Sequence, residues 1–379
     1  MSQFPLLWAI VVQEDEEEEE ELCDQQLWIE ISCVRLATRV RNYVTAAALP
    51  RPFESPWAML DRYGDDTDFM AMMRLNRAAF DALVVPFTRN YEVRSGPGRS
   101  GRPTRLQNYR AALTLVLQFY GSLSDLKHLC SVFLIPPDTA SRCLAKAEEA
   151  LSLALDSVAD AEVCWPTARE QVEWGRMVEN REPLVTKKFG FIDGKNYQVH
   201  QPSRAEVQNA YYNGWLHSVL VTGTLDFGVD CCIFWMKHNC QGSWNDRETR
   251  WEFRQKLCDP FFTLKKHGVL SDSAFPVSGV MSGKIVTPLK WGDLERAVRM
   301  GGNEEAIRQI QNAVTSILQA AEWGMGAVGK AFPRLLNTLP WNPDVRRVLL
   351  DNIHRLYNYR VRMSFVRQIR NVFAIKSTV

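Results

Sequence analysis

The sequence predicts an α/β fold preceded by a small all-helical region. Apolar residues recur at helical spacing from about residue 57 to residue 155, whereas short β-type runs begin at residue 184. Three strands, a helix, a further strand and then helices are typical of a layered α/β domain. With 46% hydrophobic and 11% aromatic residues, the 379-residue chain has enough apolar side chains for a sizeable core.

The average charge of the chain conceals an uneven distribution. Lys and Arg number 45 against 44 Asp and Glu, which gives a formal net charge of +1. Glu14 to Glu21 is a run of eight acids, and without it the rest of the chain carries nine more basic than acidic residues. Because such runs are usually solvated, we predict that residues 1–50 form an acidic, largely disordered segment.

The sequence gives no sign of a membrane or secretory protein. No apolar stretch reaches the roughly 18 to 20 residues of a spanning helix, and Phe4 to Val12 lacks the basic residues of a signal peptide. The nine cysteines follow no regular framework, and their spacing lacks the paired motifs of a zinc site. We therefore expect reduced core thiols in an intracellular protein. The densest group is Cys231, Cys232, His238 and Cys240.

Residues 57–160 contain a pattern of two short helices with a tight break. Leu126 to Phe133 is the first, Ile135 to Pro137 breaks it, and Asp138 or Thr139 is expected to cap a second helix at Ala140 to Leu151. This shape predicts a helix-turn-helix-like DNA-binding domain, with an ordinary helical hairpin as the alternative. Candidate DNA contacts at the exposed start of the second helix are Thr139, Ser141, Arg142 and Lys146.

Residues 184–335 combine the predicted strands with later helices. We expect strands at Leu184 to Asp193, Leu216 to Gly223, Val229 to Met236 and Gly268 to Ser271. We expect late helices at Leu289 to Met300, Glu304 to about Val328 and Val345 to Val372.

Four acids stand where predicted elements end or pack. Asp193 is expected to end the first strand, Asp272 follows the fourth, and Asp246 begins a predicted helix. Glu322 borders an apolar helical stripe, where a carboxylate is costly to bury unless it is paired or binds a metal. Carboxylates gathered in this way can hold Mg²⁺ or Mn²⁺, and two such ions can activate a water for phosphodiester cleavage. Each Asp alone is also a common turn former or cap.

Five motifs occur in a fixed order along this part of the chain. They are Phe191-Ile-Asp-Gly194, Tyr211-Tyr-Asn-Gly-Trp215, Gly242-Ser-Trp-Asn-Asp246, Ser271-Asp-Ser-Ala-Phe-Pro276 and Ala321-Glu-Trp-Gly-Met325. In order and spacing they resemble the DDE superfamily endonucleases of PIF/Harbinger-type transposons. The resemblance runs from about Leu75 to Phe373, and includes the turn at Phe133 to Arg142 and the tail at Arg355 to Arg362.

The resemblance implies an RNase H-like catalytic domain at residues 184–335 and a nuclear, metal-dependent enzyme that cuts DNA at transposon ends. In that fold the first acid lies on the first strand, which matches Asp193. The second follows the fourth strand, which matches Asp272, and the third lies on a late helix, which matches Glu322. Asp246 matches the family's Gly-Ser-x-His-Asp signature, either as a fourth metal-site acid or as the second triad member in place of Asp272.

The resemblance also implies ligands and partners. The cofactor would be Mg²⁺ or Mn²⁺, and the substrate double-stranded DNA. A separate Myb-like DNA-binding protein is a candidate partner, and a homo-oligomer is compatible with the family. Two departures from the family pattern bear on activity: Asn245 stands for a common His, and Leu318 for a common Arg. A catalytically inactive, transposon-derived DNA-binding protein is therefore the alternative, and a protein-interaction module is a third hypothesis.

The last segment, residues 341–379, is the most basic part of the chain. It holds eight Lys or Arg and two Asp or Glu. Basic residues interleaved with aromatic ones predict an amphipathic helix that contacts phosphates, and a solvated helix face is the alternative. The loop Arg94 to Arg105 is a weaker candidate of the same kind. The candidate phosphate contacts are Arg355, Arg360, Arg362, Arg367 and Arg370.

Overall fold

A helical layer precedes a mixed β-sheet along the chain. The computed structural model describes residues 49–93, 106, 108–202, 204–244, 251–272, 279–290 and 292–364. The helices before the sheet are α1 (Pro56–Tyr63), α2 (Asp66–Met73), α3 (Arg77–Asn90), α4 (Tyr109–Tyr120), α5 (Leu126–Phe133), α6 (Pro137–Asp156) and α7 (Ala168–Arg181).

The strands alternate with two short helices, and three helices follow them. The strands are β1 (Lys188–Gln198), β2 (Tyr212–Asn213), β3 (Ser218–Gly228), β4 (Ile233–Gln241), β5 (Gly268–Ser271) and β6 (Ile285–Val286). The remaining helices are α8 (Ala205–Tyr211), α9 (Trp251–Cys258), α10 (Asp293–Arg299), α11 (Glu304–Ala331) and α12 (Pro343–Ser364).

The six strands form one sheet with antiparallel and parallel parts. β3 runs antiparallel to β1, β2 and β4, whereas β1 is parallel to β5 and β5 is parallel to β6. β1 therefore lies between β3 and β5, in the middle of the sheet. The predicted order of three strands, a helix, a fourth strand and late helices matches β1, β3, β4, α9, β5 and α10 to α12. The predicted α/β class is confirmed.

Two hydrophobic clusters cover the two faces of the sheet. Successive residues of a strand point to opposite faces, so Phe191 and Leu270 join the larger cluster while Ile192 and Val269 join the smaller one. The smaller cluster packs the sheet against α9 through Phe253. The larger cluster joins the other face to α11, α12 and the helical layer. Each face of the sheet is thus covered, which suits a sheet with parallel strands.

Helix α12 links the helical layer to the sheet. Asn358 accepts the N–H of Ile233 and donates to the same residue's carbonyl, both at 2.8 Å, as a neighbouring strand would. On the opposite side, the Tyr359 hydroxyl donates to the carbonyl of Ala79 at 2.6 Å. Contacts group residues 49–379 into one unit. The domain boundaries at 57–160, 184–335 and 341–379 stay predictions. Residues 1–48 of the predicted acidic segment lie outside the described residues.

Several element boundaries differ from the sequence prediction. β1 does not end at Asp193 but continues to Gln198, because it pairs with β3 over its whole length. Helix α6 begins at Pro137, so neither Asp138 nor Thr139 is its cap. Proline at the first helical position needs no backbone N–H and already has a helical φ, which moves the start earlier. The predicted bounds of α5 and β5 match the observed ones.

The described cysteines are free thiols, and the prediction that they lie in the core holds for five of them, whereas Cys164 is exposed and Cys258 is partly exposed. Cys231, Cys232 and Cys240 are buried in and between β3 and β4, and none of the described cysteines forms a disulfide. In the part of the chain that the structure describes, no helix combines the length and apolarity needed to cross a membrane.

The close approach of β5 to the segment before β6 requires glycine at position 268. A Cβ there would lie 1.8 Å from the Lys284 carbonyl oxygen, which is held in place because it accepts the Val269 N–H at 2.9 Å. We predict that Gly268→Ala lowers the free energy of unfolding by about 3 kcal/mol. Gly326→Ala is the control: no atom lies within 4 Å of its Cβ position in α11, so about 0.5 kcal/mol of stabilisation is expected. Urea denaturation measures both, and equal stability of Gly268→Ala and wild type would contradict this packing.

Candidate functional site

The sheet brings two of the predicted acids to neighbouring strands. Asp193 lies in the middle of β1, and the parallel pairing of β1 with β5 ends where Ile192 meets Ser271. Asp272 follows Ser271, so continuing the register by one residue sets Asp272 beside Asp193. Adjacent strands lie about 4.8 Å apart. The two carboxylates are therefore lateral neighbours at the end of the β1–β5 pairing.

Both acids belong to the face of the sheet that α11 covers. Side chains two residues apart on a strand lie on the same face. Asp193 therefore shares a face with Phe191, and Asp272 shares it with Leu270; Phe191 and Leu270 belong to the larger cluster. Asp193 is partly buried and Asp272 is exposed. The carboxylates thus lie at the boundary between the buried part of this face and solvent.

Helix α11 brings the third acid to the same region. Ala321 and Met325 are buried in the larger cluster, and Gly324 lies so near β3 that a Cβ would be 3.0 Å from the Phe227 ring. Glu322 stays exposed at the border of this apolar stripe, as its spacing predicted. The glycine allows the close approach of helix and sheet that sets Glu322 over the strand bearing Asp193.

The three carboxylates share one electrostatic environment. The pKa of Asp193 is raised to about 6, first by burial and then by the negative charges of Asp272 and Glu322. The Gly194 N–H, which donates to Asp193 Oδ1 at 2.7 Å, and the charge of Lys195 act in the opposite direction. The site therefore disfavours the ionised form of Asp193, and a cation placed there would relieve the repulsion.

The donor chemistry of these acids suits a hard divalent cation. Mg²⁺ and Mn²⁺ prefer carboxylate oxygens, and Mg²⁺ usually takes only one or two carboxylates while keeping several waters. Among the described residues, no group of three His, Cys, Asp or Glu side chains is close enough to hold one metal ion. The fit is therefore to ions held by one or two of Asp193, Asp272 and Glu322 with water, and not to a closed cage.

Two of the resemblance motifs are joined through a single asparagine. Asn213 donates from Nδ2 to the Gly242 carbonyl at 3.0 Å, and its Oδ1 accepts the N–H groups of Trp215 and Leu216. This fixes a turn that leaves Trp215 90% exposed. Asn245 and Asp246 lie outside the described residues, so the role of Asp246 stays a prediction. Leu318 packs against the hydrophobic core, where the family commonly has Arg.

Comparisons with protein-family models, with curated proteins and with solved structures find no match. The resemblance to DDE endonucleases therefore rests on the motifs and on the positions of the acids.

The predicted helix-turn-helix residues lie on one accessible face of α6. Ser141, Arg142 and Lys146 are exposed, and Thr139 is partly exposed. The Arg142 Nε donates to the Asp138 carbonyl at 3.1 Å. The two helices with a tight turn are present as predicted, and DNA contact by this face stays a prediction.

Three candidate arginines of the C-terminal segment make contacts within the protein. Arg355 pairs with Asp156, and the Arg360 Nε donates to the carbonyl of Arg74 at 2.7 Å. Arg362 Nη1 donates to the Glu162 carbonyl at 2.9 Å. Helix α12 is consequently a connecting helix that is largely buried from Leu349 to Val361. Its contacts with phosphate stay a prediction, and Arg367, Arg370 and the loop 94–105 lie outside the described residues.

Sequence reasoning missed a buried polar group beside the sheet. His238 Nε2 and Asp351 Oδ1 are 2.9 Å apart, and the Tyr197 hydroxyl lies 3.1 Å from His354 Nε2. Burial lowers the pKa of His354 to about 3, so this imidazole stays neutral at physiological pH. The partners come from β1, β4 and α12, separated by more than one hundred residues, and no local motif signals them.

We predict that Arg362→Gln destabilises the protein by about 1–2 kcal/mol. The change removes charge-assisted hydrogen bonds to the carbonyls of Asp160 and Glu162. Arg347→Gln is the control, because Arg347 is exposed on the same helix. Thermal unfolding measures both. Equal melting temperatures for the two variants would contradict a structural role for Arg362.

We predict that Asp193→Asn stabilises the protein at pH 7.5 and not at pH 4. A carboxyl with a raised pKa costs no stability at low pH, where it is protonated in both the folded and the unfolded chain. The cost begins near pH 4, where the unfolded chain starts to ionise, and is complete above about pH 6, the folded pKa. The gain at pH 7.5 should be about 1–2 kcal/mol after allowance for solvent screening. Asparagine keeps the acceptor for the Gly194 N–H. Urea denaturation across pH tests this, and a gain independent of pH would count against it.

Proposed function

We propose that the chain is a metal-dependent DNA endonuclease of the DDE type, with an RNase H-like catalytic domain that acts at transposon ends. The observation that carries the proposal is the convergence of Asp193, Asp272 and Glu322, which are close enough that the charges of the last two add to the effect of burial on the pKa of Asp193. The first acid stands on β1, the second follows β5 and the third lies on a late helix. These are the positions that the resemblance assigns to the acids of such a nuclease.

The three acids are held by three different elements of the fold. Asp193 belongs to the central strand, which is paired on both sides and is the rigid reference point. Asp272 follows the end of a strand, and Glu322 approaches from a helix packed on the same face. Divalent cations, when bound, would activate a water and stabilise the leaving oxygen of a phosphodiester.

The charge of the acids themselves makes cleavage dependent on cations. Three carboxylates repel a DNA phosphate, and the charges of Asp272 and Glu322 also add to the effect of burial in disfavouring the ionised form of Asp193. Neutralising that charge is necessary before a phosphate can approach the strand end. We infer that Asp193 and Glu322 hold cations from opposite sides of the site, and that Asp272 or Asp246 completes the set.

A second candidate function is DNA binding without catalysis. Leu318 supports it, because an apolar side chain packed on the core stands where the family commonly has a cationic one. Both candidates take double-stranded DNA as the ligand. The nuclear location, the Myb-like partner and a homo-oligomer belong to the proposal through the resemblance.

The decisive experiment is cleavage of a labelled terminal-repeat duplex by the purified protein. We expect cutting with Mg²⁺ or Mn²⁺ and none with EDTA. Asp193→Asn and Glu322→Gln should each lower the rate at least about 100-fold, because each removes a metal ligand that stabilises the transition state. Asp259→Asn is the matched control, since Asp259 is an exposed acid that also accepts a backbone N–H, from Phe261 at 2.9 Å.

Metal binding has a readout that is independent of activity. Mn²⁺ should raise the melting temperature of the wild type and of Asp259→Asn, and not that of Asp193→Asn. Metal-dependent cutting by Asp193→Asn and Glu322→Gln at the wild-type rate would sink the proposal. DNA binding with no cutting under any metal condition would favour the second candidate function.

A further inference from the structure

Cationic side chains converge at the beginning of the three parallel strands. One pair opens β1, a group of three stands immediately before β5, and one more precedes β6. Sequence analysis did not single out these residues, because each group is only one to three residues long. We call this set the lysine cluster, which consists of Lys187, Lys188, Lys265, Lys266, His267 and Lys284.

Backbone hydrogen bonds hold the three segments together. The Gly268 N–H donates to the Lys187 carbonyl at 3.1 Å, and the Val269 N–H donates to the Lys284 carbonyl at 2.9 Å. The absence of a side chain at Gly268 lets the Lys284 backbone come this close. The cluster is therefore fixed by the sheet itself and does not depend on flexible side chains meeting by chance.

Two of the amines are satisfied by carbonyl oxygens. Lys188 Nζ donates to the Gly283 carbonyl at 2.6 Å, and Lys284 Nζ donates to the Leu264 carbonyl at 3.2 Å. Lysine is rarely buried without a partner of opposite charge, yet Lys188 is only 6% exposed. These bonds hold the buried amines in place without neutralising them.

The positive charges of the cluster act on one another. Burial, followed by the charge of Lys284, lowers the pKa of Lys188 to about 8. Burial also lowers the pKa of His267, and the charges of Lys187, Lys188 and Lys284 lower it further. Within the residues that the structure describes, none of the six pairs with a carboxylate. The repulsion therefore has no counter-charge within the described part of the protein.

We propose that the lysine cluster binds consecutive phosphates of a DNA backbone. Lys187, Lys265 and Lys266 are exposed, so the site presents several positive charges to solvent at once. A row of phosphates supplies the extended negative charge that such an array requires, and binding releases counterions from the DNA. The assignment rests on the proposed function in taking DNA as the polyanion, and it does not require that the protein cuts.

The position of the cluster gives it a defined place on the duplex. Lys188 precedes Asp193 by five residues on the same strand, which corresponds to roughly 16 Å. The amino ends of the strands would then hold the duplex while the acids act farther along the sheet.

The test is the salt dependence of DNA binding by Lys265→Gln/Lys266→Gln. Measured in EDTA, the slope of log K against log salt concentration should become shallower by about 2, because each lost phosphate contact contributes about 0.9. Affinity at low salt should fall at least about tenfold. Lys330→Gln/Arg347→Gln is the matched control, since it removes two exposed positive charges elsewhere. Its slope should stay near that of the wild type.

The outcomes separate the cluster from the fold and from catalysis. The melting temperature of Lys265→Gln/Lys266→Gln at low salt should not fall, because the change removes repulsion. Equal slopes for the cluster variant and the control would overturn the assignment. So would loss of binding to phosphatidylserine vesicles with unchanged DNA binding. If Asp193→Asn cuts DNA at the wild-type rate, the proposed nuclease activity is contradicted and the slope test of the lysine cluster is unaffected. If Lys265→Gln/Lys266→Gln cuts normally and its salt slope is unchanged, only the assignment of the lysine cluster is contradicted.

Discussion

The buried helix α12 is the constraint on which the remaining structure depends. Asn358 pairs with both backbone groups of Ile233 at the start of β4, so the helix occupies a place that a strand would otherwise fill. Tyr359, the next residue, reaches the opposite way to the carbonyl of Ala79 in the helical layer. Removing such buried polar partners leaves unsatisfied backbone groups, which costs more than the bonds themselves contribute. The sheet and the helices before it are consequently held as neighbours by one segment.

This support explains how acids can be held close together against their own repulsion. The central strand cannot move away from α11, because both its edges are paired and its faces are packed. Burial, and after it the charges of Asp272 and Glu322, raise the pKa of Asp193 and so disfavour its ionised form. A rigid site with several negative charges is suited to binding a cation, because the ion offsets the repulsion among the carboxylates.

The two halves of the parallel strands carry opposite charges. The lysine cluster lies where these strands begin, and Asp193 and Asp272 lie farther along β1 and beyond the end of β5. A phosphate backbone would be attracted at one end and would require cations at the other. The proposed DNA binding and the proposed cleavage would therefore be separable, and the second candidate function corresponds to binding without cleavage.

Sequence periodicity predicted much of the fold. The bounds of α5 and β5 match the observed ones, since Pro and Gly mark their ends clearly, and the border position of Glu322 followed from helical spacing. The prediction failed at β1, where Asp193 was placed at the end of the strand. Pairing with β3 carries the strand to Gln198, and such pairing is a non-local interaction with no local signal. The same holds for the pair of His238 and Asp351.

By itself, the sequence determined the α/β class, the order of the elements and the identity of the acids, because these depend on local periodicity and residue type. Only the tertiary structure decided which charges meet. It set Asp193 beside Asp272, assembled the lysine cluster from three separate segments, and turned the basic C-terminal helix inward through its contacts. Electrostatic interactions depend on distance in space, and that distance is fixed by strand register and helix packing between residues far apart in the chain.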